Sequence, residues 1–511
     1  MKPFKHLLVA AAMTAAVPAA AQAPLEASVT IDLAHPGPKI EPAVYGQFAE
    51  HLGRGIYEGL WVGEDSPIPN TGGYRNDVLE ALRRLNVPVI RWPGGCFADE
   101  YDWRDGIGPR AQRPRRINTH WGGVIEDNSF GTHEFMNYTE LLGADAYVAG
   151  NMGSLPPIET ARWVEYMTAK QGSLAEERAA NGRAEPWTIR YFGVGNESWG
   201  CGGNMLAEYS ADLHRRYQTF VKVPAGTTAP IKVATGASDF QYDFTETLMR
   251  KAARHMDAIS VHYYTLPGNW DVKGPATGFS EADWAITLSK ARRMDELIRG
   301  HKAVMDKYDP EKRVGLYVDE WGTWYDQEAG SSPGFLYQQN SLRDAHVAAL
   351  TFNIFHRHTD RVKLAAIAQM INVLQAMILT DKEKMLLTPT YHVFDMYRPF
   401  QGATPYPASV ASPAYTLGEI VQQAVDVSAA RGADGKLYLA LVNVDPDRSA
   451  RVTTGLGGRA TGRILTGPAI DTHNTFERPN TIQPAAYSAR SSGGKLVLDL
   501  PAKSIVVVAV E

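Results

Sequence analysis

The sequence predicts a (β/α)8 TIM barrel followed by an antiparallel β-sandwich. Apolar, β-rich runs alternate with helical periodicity from about residue 40 to residue 400, the pattern of parallel strands joined by helical crossovers. Eight such runs occur, the number that closes a barrel. Helical patterning then stops near Pro405, and short apolar runs separated by Gly, Pro, Asp and Asn continue to the C-terminus, as antiparallel strands require.

Residues 1–23 read as a signal peptide. Lys2 and Lys5 precede an apolar run over 7–21, and Ala21-Gln22-Ala23 fits a small-x-small cleavage site. This predicts an exported protein, periplasmic or secreted. Residues 24–40 hold a strand-like run that is expected to pair with the C-terminal β-domain, because the first barrel strand starts only after Pro42. The barrel is expected over 41–402, with strands at 43–50, 87–93, 144–151, 189–196, 231–236, 258–264, 314–320 and 364–371. Helices are expected at 77–85, 132–142, 159–169, 205–221, 244–255, 284–307 and 342–356, where apolar residues recur at helical spacing. The β-domain is expected over 403–511, with strands such as 437–442, 450–454 and 505–510. An open doubly wound sheet is disfavoured. Gly193-Val194-Gly195 is followed by Ser198 where a dinucleotide fingerprint needs glycine, and no P-loop is present.

The 511 residues include 56 acidic and 51 basic side chains, a net charge of −5, which argues against a nucleic-acid partner. The densest basic run, RAQRPRR over 110–116, reads as a solvated or salt-bridged loop. No stretch after the first 23 residues has about 18 uninterrupted apolar residues, so no membrane partner is expected. Cys96 and Cys201 read as free, partly buried thiols beside the candidate site. No zinc-ligand spacing and no H-E-x-x-H occurs, and no metal or cofactor is expected.

The chemistry rests on two strand ends. WTIRYFGVGNESWG, over 187–200, runs into Asn196-Glu197, and RVGLYVDEWGTWY, over 313–325, runs into Glu320-Trp321. Barrel enzymes place reacting groups at the C-terminal ends of their strands. The fourth and seventh strands stand on opposite walls, so Glu197 and Glu320 converge across the mouth. Two such carboxylates cleave a glycosidic bond: one protonates the leaving oxygen, and the other, about 5–5.5 Å away, attacks the anomeric carbon. The donor needs a raised pKa, which a neighbouring ionised carboxylate supplies. Strand alternation turns Asp319 to the face opposite Glu320. His51 and His262 are expected to orient neighbouring carboxylates or to touch substrate. Gly330 to Gly334 match G-x-S-x-G but sit in a Pro-containing loop with no strand before them.

Four segments together, YGQFAEHLGRGIYEGLW (45–61), RWPGGCFADEYDWRDGIGP (91–109), GVGNESWGCGG (193–203) and VDEWGTWY (318–325), closely resemble the α-L-arabinofuranosidases of glycoside hydrolase family 51. The resemblance implies a retaining barrel enzyme with a jelly-roll-like C-terminal sandwich, Glu197 as acid/base and Glu320 as nucleophile. It also implies a sugar-binding set. Glu50 binds hydroxyls, Asn196 contacts the 2-hydroxyl, and Tyr264 (Tyr263 in the alternative register) lies near the nucleophile. Gln369 contacts the sugar, and Trp324 lines the pocket. Cys96 stands where some members carry Asn, so it packs against sugar rather than donating a strong hydrogen bond. The implied activity is exo-acting release of terminal L-arabinofuranose from arabinan, arabinoxylan or their oligosaccharides, without a cofactor and from a homo-oligomer. The rival readings are an endoglucanase, xylanase or β-xylosidase specificity on the same barrel, and a non-catalytic carbohydrate-binding protein. The paired carboxylates weigh against the last.

Overall fold

The computed structural model describes residues 23–511. Eight parallel strands close into a barrel: β1 (Gly46–Phe48), β2 (Val89–Trp92), β3 (Asp145–Gly150), β4 (Tyr191–Val194), β5 (Ile231–Ser238), β6 (Ala258–Thr265), β7 (Gly315–Thr323) and β8 (Val362–Ile367). Neighbours pair in chain order, and β8 returns to β1 through Ala366 and Gly46. Each expected strand is present with its ends moved by a few residues. Ala43, Val89, Tyr147, Tyr191, Val233, Ala258, Tyr317 and Leu364 form one buried cluster. It fills the N-terminal half of the barrel, so the interior is a packed floor rather than a pore, and only the C-terminal mouth is left for chemistry.

The long crossover helices Glu281–Tyr308 and Leu342–Arg357 start at capping boxes. Ser280 pairs with Asp283, and Ser341 with Asp344, each satisfying amides that a helix start leaves free. Pro389–Tyr397 is a further helix that follows β8, and all nine of its residues are buried. Enclosed on every side, it carries no amphipathic stripe, so periodicity does not reveal it.

The C-terminal sheet has ten strands and includes Leu25–Ile31, which pairs parallel with Ala450–Thr454 and antiparallel with Ala408–Ala411. Its strand Val425–Arg431 lies against the barrel helices. Asp426 accepts hydrogen bonds from Asn353 (2.8 Å), Arg292 (3.1 Å) and Arg357 (3.3 Å), and the Trp284 indole donates to the Val444 carbonyl at 2.9 Å. The basic run near 110–116 is paired rather than free: Arg113 bonds Glu134, and Arg116 bonds Asp105.

Candidate active site

Glu197 follows β4 and Glu320 lies within β7, and both turn into the barrel mouth. An oxygen of each carboxylate and a ring nitrogen of His262 lie within 4.8 Å of one another. That is close to the spacing for a nucleophile and a proton donor, and well short of the ~6.5–9.5 Å that leaves room for an attacking water. Glu320 is tightly held. Its Oε1 accepts from Arg91 Nη1 at 2.7 Å and its Oε2 from the Tyr264 hydroxyl at 2.7 Å. Glu197 Oε1 lies 2.8 Å from His262 Nδ1. Burial raises the Glu197 pKa above the ordinary value, and the charge on Glu320 adds to that while the His262 contact opposes it. A donor carboxyl whose pKa is raised beside a second carboxylate is the pairing that glycoside cleavage requires.

The other expected residues surround this pair. Glu50 is 2% exposed. It accepts from the Trp121 indole (2.9 Å), the Phe97 amide (3.1 Å) and Gln369 Nε2 (2.9 Å). Burial, with the Glu320 charge, pushes its pKa up to about 7. A β-carbon on Gly95 would sit 2.5 Å from this carboxylate, so the Gly94-Gly95 step is what lets the backbone pass so near. Asn196 Oδ1 accepts from Arg91 Nη2 at 2.6 Å. Arg91 therefore serves Glu320 and Asn196 rather than pairing with Glu50, and its guanidinium lies 4.5 Å over the Phe48 ring. Tyr264 faces inward to Glu320. Tyr263 turns outward and donates to the Lys290 carbonyl, which leaves Tyr264 as the one in the site. Trp324 packs edge-on against Tyr264 at 4.9 Å, with Trp270 beyond it at 5.4 Å.

Two expectations about side chains are corrected. Cys96 and Cys201 are not free thiols: they form a disulfide. The loops after β2 and β4 both rise at the mouth, which brings residues distant in sequence to within bonding distance. Cys201 Sγ lies 3.5 Å from Glu197 Oε2. A bonded sulfur carries no proton, so this is a packing contact, and Cys96 has no thiol to offer a sugar. Asp319 does not point away from Glu320. The pairing of β7 slips against β6 between Ser260 and His262, and against β8 between Val318 and Trp321. This bulge breaks the alternation and sends two consecutive carboxylates inward. Asp319 accepts from the Tyr147 hydroxyl at 2.7 Å, lies 3.6 Å from Arg91 Nε and 3.1 Å from His262 Nε2.

Further residues in the site escape sequence reasoning. Trp121 comes from an irregular loop without periodicity. His51 anchors that loop by facing Glu126 (2.9 Å) while its other ring nitrogen accepts from the Trp92 indole (3.0 Å), so it orients structure and does not reach the paired carboxylates. Asp99, lying within one of the quoted motifs, accepts the amides of Met152 (2.7 Å), Gly153 (2.8 Å) and Asn196 (2.8 Å), and so ties together the loops after β2, β3 and β4.

The chain is similar to known proteins along nearly its whole length. Residues 81–277 match the family described as α-L-arabinofuranosidase 1 domain, and residues 319–504 match α-L-arabinofuranosidase C-terminal domain. The chain is 48% identical, over 99% of both proteins, to a Bacteroides ovatus protein named intracellular exo-α-L-arabinofuranosidase. Among solved structures it resembles the GH51 arabinofuranosidase of Xanthomonas axonopodis pv. citri, with 56% identity, a TM-score of 0.94, and 95% of this chain and 100% of that one covered. It also resembles the arabinose complex of the Thermotoga maritima α-L-arabinofuranosidase, with 30% identity, a TM-score of 0.84 and the same coverage. The Bacteroides protein, named as intracellular, overturns the expectation of export. That expectation rests on residues 1–23, nearly all of which lie outside the described residues, and a short Ala-rich run behind two lysines is a compositional signal that does not by itself decide location.

Proposed function

The chain belongs to the family 51 α-L-arabinofuranosidases, and from that membership we propose how its site divides the labour of a retaining, exo-acting hydrolase. In the first step a Glu320 oxygen attacks the anomeric carbon of a terminal arabinofuranosyl group. The glycosidic bond breaks, and the proton on Glu197 passes to the departing oxygen. Arg91 and Tyr264 each donate to Glu320, fixing the lone pair that attacks. In the second step the ester at Glu320 carries no charge, so the Glu197 pKa falls; left as a carboxylate by the first step, Glu197 accepts a proton from water as that water attacks the same carbon and the bond to Glu320 breaks. Two inversions restore the configuration and release L-arabinose.

Glu50, Asn196 and Gln369 hold the hydroxyls of the bound sugar, and Trp324 gives a flat apolar wall to its C–H surface. The substrates are arabinan, arabinoxylan or their oligosaccharides, and the working assembly is a homo-oligomer. The observation that carries this reading is the convergence of Glu197, Glu320 and His262 within 4.8 Å above a filled barrel floor.

A panel of aryl glycosides differing only in the sugar tests the specificity, and NMR of the first product tests the stereochemistry. The α-L-arabinofuranoside should be cleaved far faster than the β-D-xylopyranoside or β-D-glucopyranoside, with the α-anomer released first. Preferential cleavage of a pyranoside, or first release of the β-anomer, would overturn it.

A further inference from the structure

His262 is placed to govern where the proton on Glu197 resides, and Asp319 to govern His262. The ring is 5% exposed and lies between two strands' worth of carboxylates. Nδ1 faces Glu197 Oε1 at 2.8 Å and Glu320 Oε2 at 3.5 Å. Nε2 faces Asp319 Oδ1 at 3.1 Å, a contact that the β7 bulge creates. Asp319 is itself fixed by the Tyr147 hydroxyl on its other oxygen, with Arg91 Nε 3.6 Å away. Asp239, at the end of β5, is the remaining carboxylate whose charge acts on the ring, and its own amide donates to the His262 carbonyl.

We infer that Asp319 is a positioning residue for the proton donor: it holds His262 as an imidazolium whose Nδ1–H is given to Glu197 Oε1, so that the transferable proton stays on Oε2, facing the leaving group. The reason is a choice between two arrangements of one hydrogen bond. An imidazolium has only donors, so Glu197 Oε1 must accept, and the carboxyl proton is left to Oε2. A neutral ring with its proton on Nε2 presents a lone pair at Nδ1. The Glu197 carboxyl then donates to that lone pair and turns its proton away from substrate. The charge on Asp319 selects the first arrangement. Burial alone would lower the ring's pKa, but the surrounding carboxylates Glu320, Asp319 and Glu197 outweigh it and raise it to about 10.

This inference rests on Glu197 being the acid/base. Its test therefore compares Glu197→Gln, Asp319→Asn, His262→Gln and the Asp319→Asn/His262→Gln double variant on two arabinofuranosides, one with a dinitrophenyl and one with an alkyl leaving group. The dinitrophenyl group needs no proton to depart; the alkyl group does. Asp319→Asn should lower kcat/KM on the alkyl substrate at least ten times more than on the dinitrophenyl one. Removing a negative charge makes proton loss from the Glu197–His262 pair easier, so the basic limb of its pH profile should move down by about one pH unit or more. His262→Gln keeps an amide donor for Glu197 and no longer needs Asp319, so the double variant should be no worse than His262→Gln alone. Equal loss on both substrates, an unmoved basic limb, or a full additional loss in the double variant would each overturn the inference. If Asp319→Asn fails to fold, His262→Met, which offers Glu197 no donor, takes its place: excess loss on the alkyl substrate supports the inference and equal loss on the two substrates overturns it. If Glu197→Gln itself shows no leaving-group selectivity, the acid/base reading fails instead.

Discussion

Glu50 shows how a single buried carboxylate trades stability for binding. Folding raises its pKa from 4.5 to about 7. The folded state therefore holds the proton more tightly than the unfolded chain does. The group's contribution to stability is complete below about pH 4.5 and is lost as pH rises through about 7, a change of up to about 3 kcal/mol. Glu50→Gln should flatten the fall in thermal midpoint between pH 5 and pH 8. The same change should weaken L-arabinose binding by about 10- to 100-fold, because a charged acceptor is lost. Melting curves and calorimetric titration check the two halves, and an unchanged slope would remove Glu50 as the cause. Glu197 makes a second prediction. Glu197→Gln should cost about 10²- to 10⁴-fold on natural arabino-oligosaccharides and much less on activated aryl substrates, as steady-state kinetics on both will show. Glu197 and Glu320 are legible in the sequence because each ends an apolar run in a charged group. Asp319 is not, because a period-2 strand assigns it to the wrong face and a bulge leaves no mark in composition. Trp121 is not, because it sits in a loop that neither period describes.

Among the elements, the loops at the barrel mouth need more tethering than the strands beneath them. The disulfide between Cys96 and Cys201 spans 105 positions and joins the loop after β2 to the loop bearing Glu197. Closing a loop of that size is worth about 4–5 kcal/mol in the chain-entropy account. Reduction, or Cys201→Ser, should lower the thermal inactivation midpoint and reduce turnover on poor leaving groups, since Cys201 packs against Glu197. Inactivation curves with and without a phosphine reductant measure the effect, and identical curves would contradict it. Two cysteines alone in a sequence do not announce this pairing, because it depends on two loops meeting only after the barrel closes. The eight strands are legible for the opposite reason. Each is an apolar run long enough to be buried on both faces. The helix Pro389–Tyr397 is buried on every face, polar residues included, and so no solvent-facing side marks it in the sequence.

At the scale of the whole molecule, the ten-stranded sheet is part of the barrel's support. Asp426 receives Asn353, Arg292 and Arg357 from the barrel's outer helices. Burial alone would raise its pKa, but the two arginines more than offset this and hold it below the ordinary carboxylate value. Asp426→Ala leaves Arg292 and Arg357 without this partner, and because both arginines keep contact with solvent the loss should fall below the about 3–5 kcal/mol of a fully buried pair. The variant should unfold at clearly lower urea than the parent, while its KM on an aryl arabinofuranoside stays near the parent value. An unchanged urea midpoint would show that the interface does not depend on this carboxylate.

The central claim is that Glu320 becomes covalently bonded to the sugar while Glu197 manages the proton. In Glu197→Ala, an activated aryl arabinofuranoside still loads the enzyme, because its leaving group needs no proton, but no base remains to activate water for release. Mass spectrometry of the quenched, protease-digested variant should find one arabinosyl group on the peptide that contains Glu320. An adduct on a different residue, or none while the aryl group is released in a burst, would contradict the account.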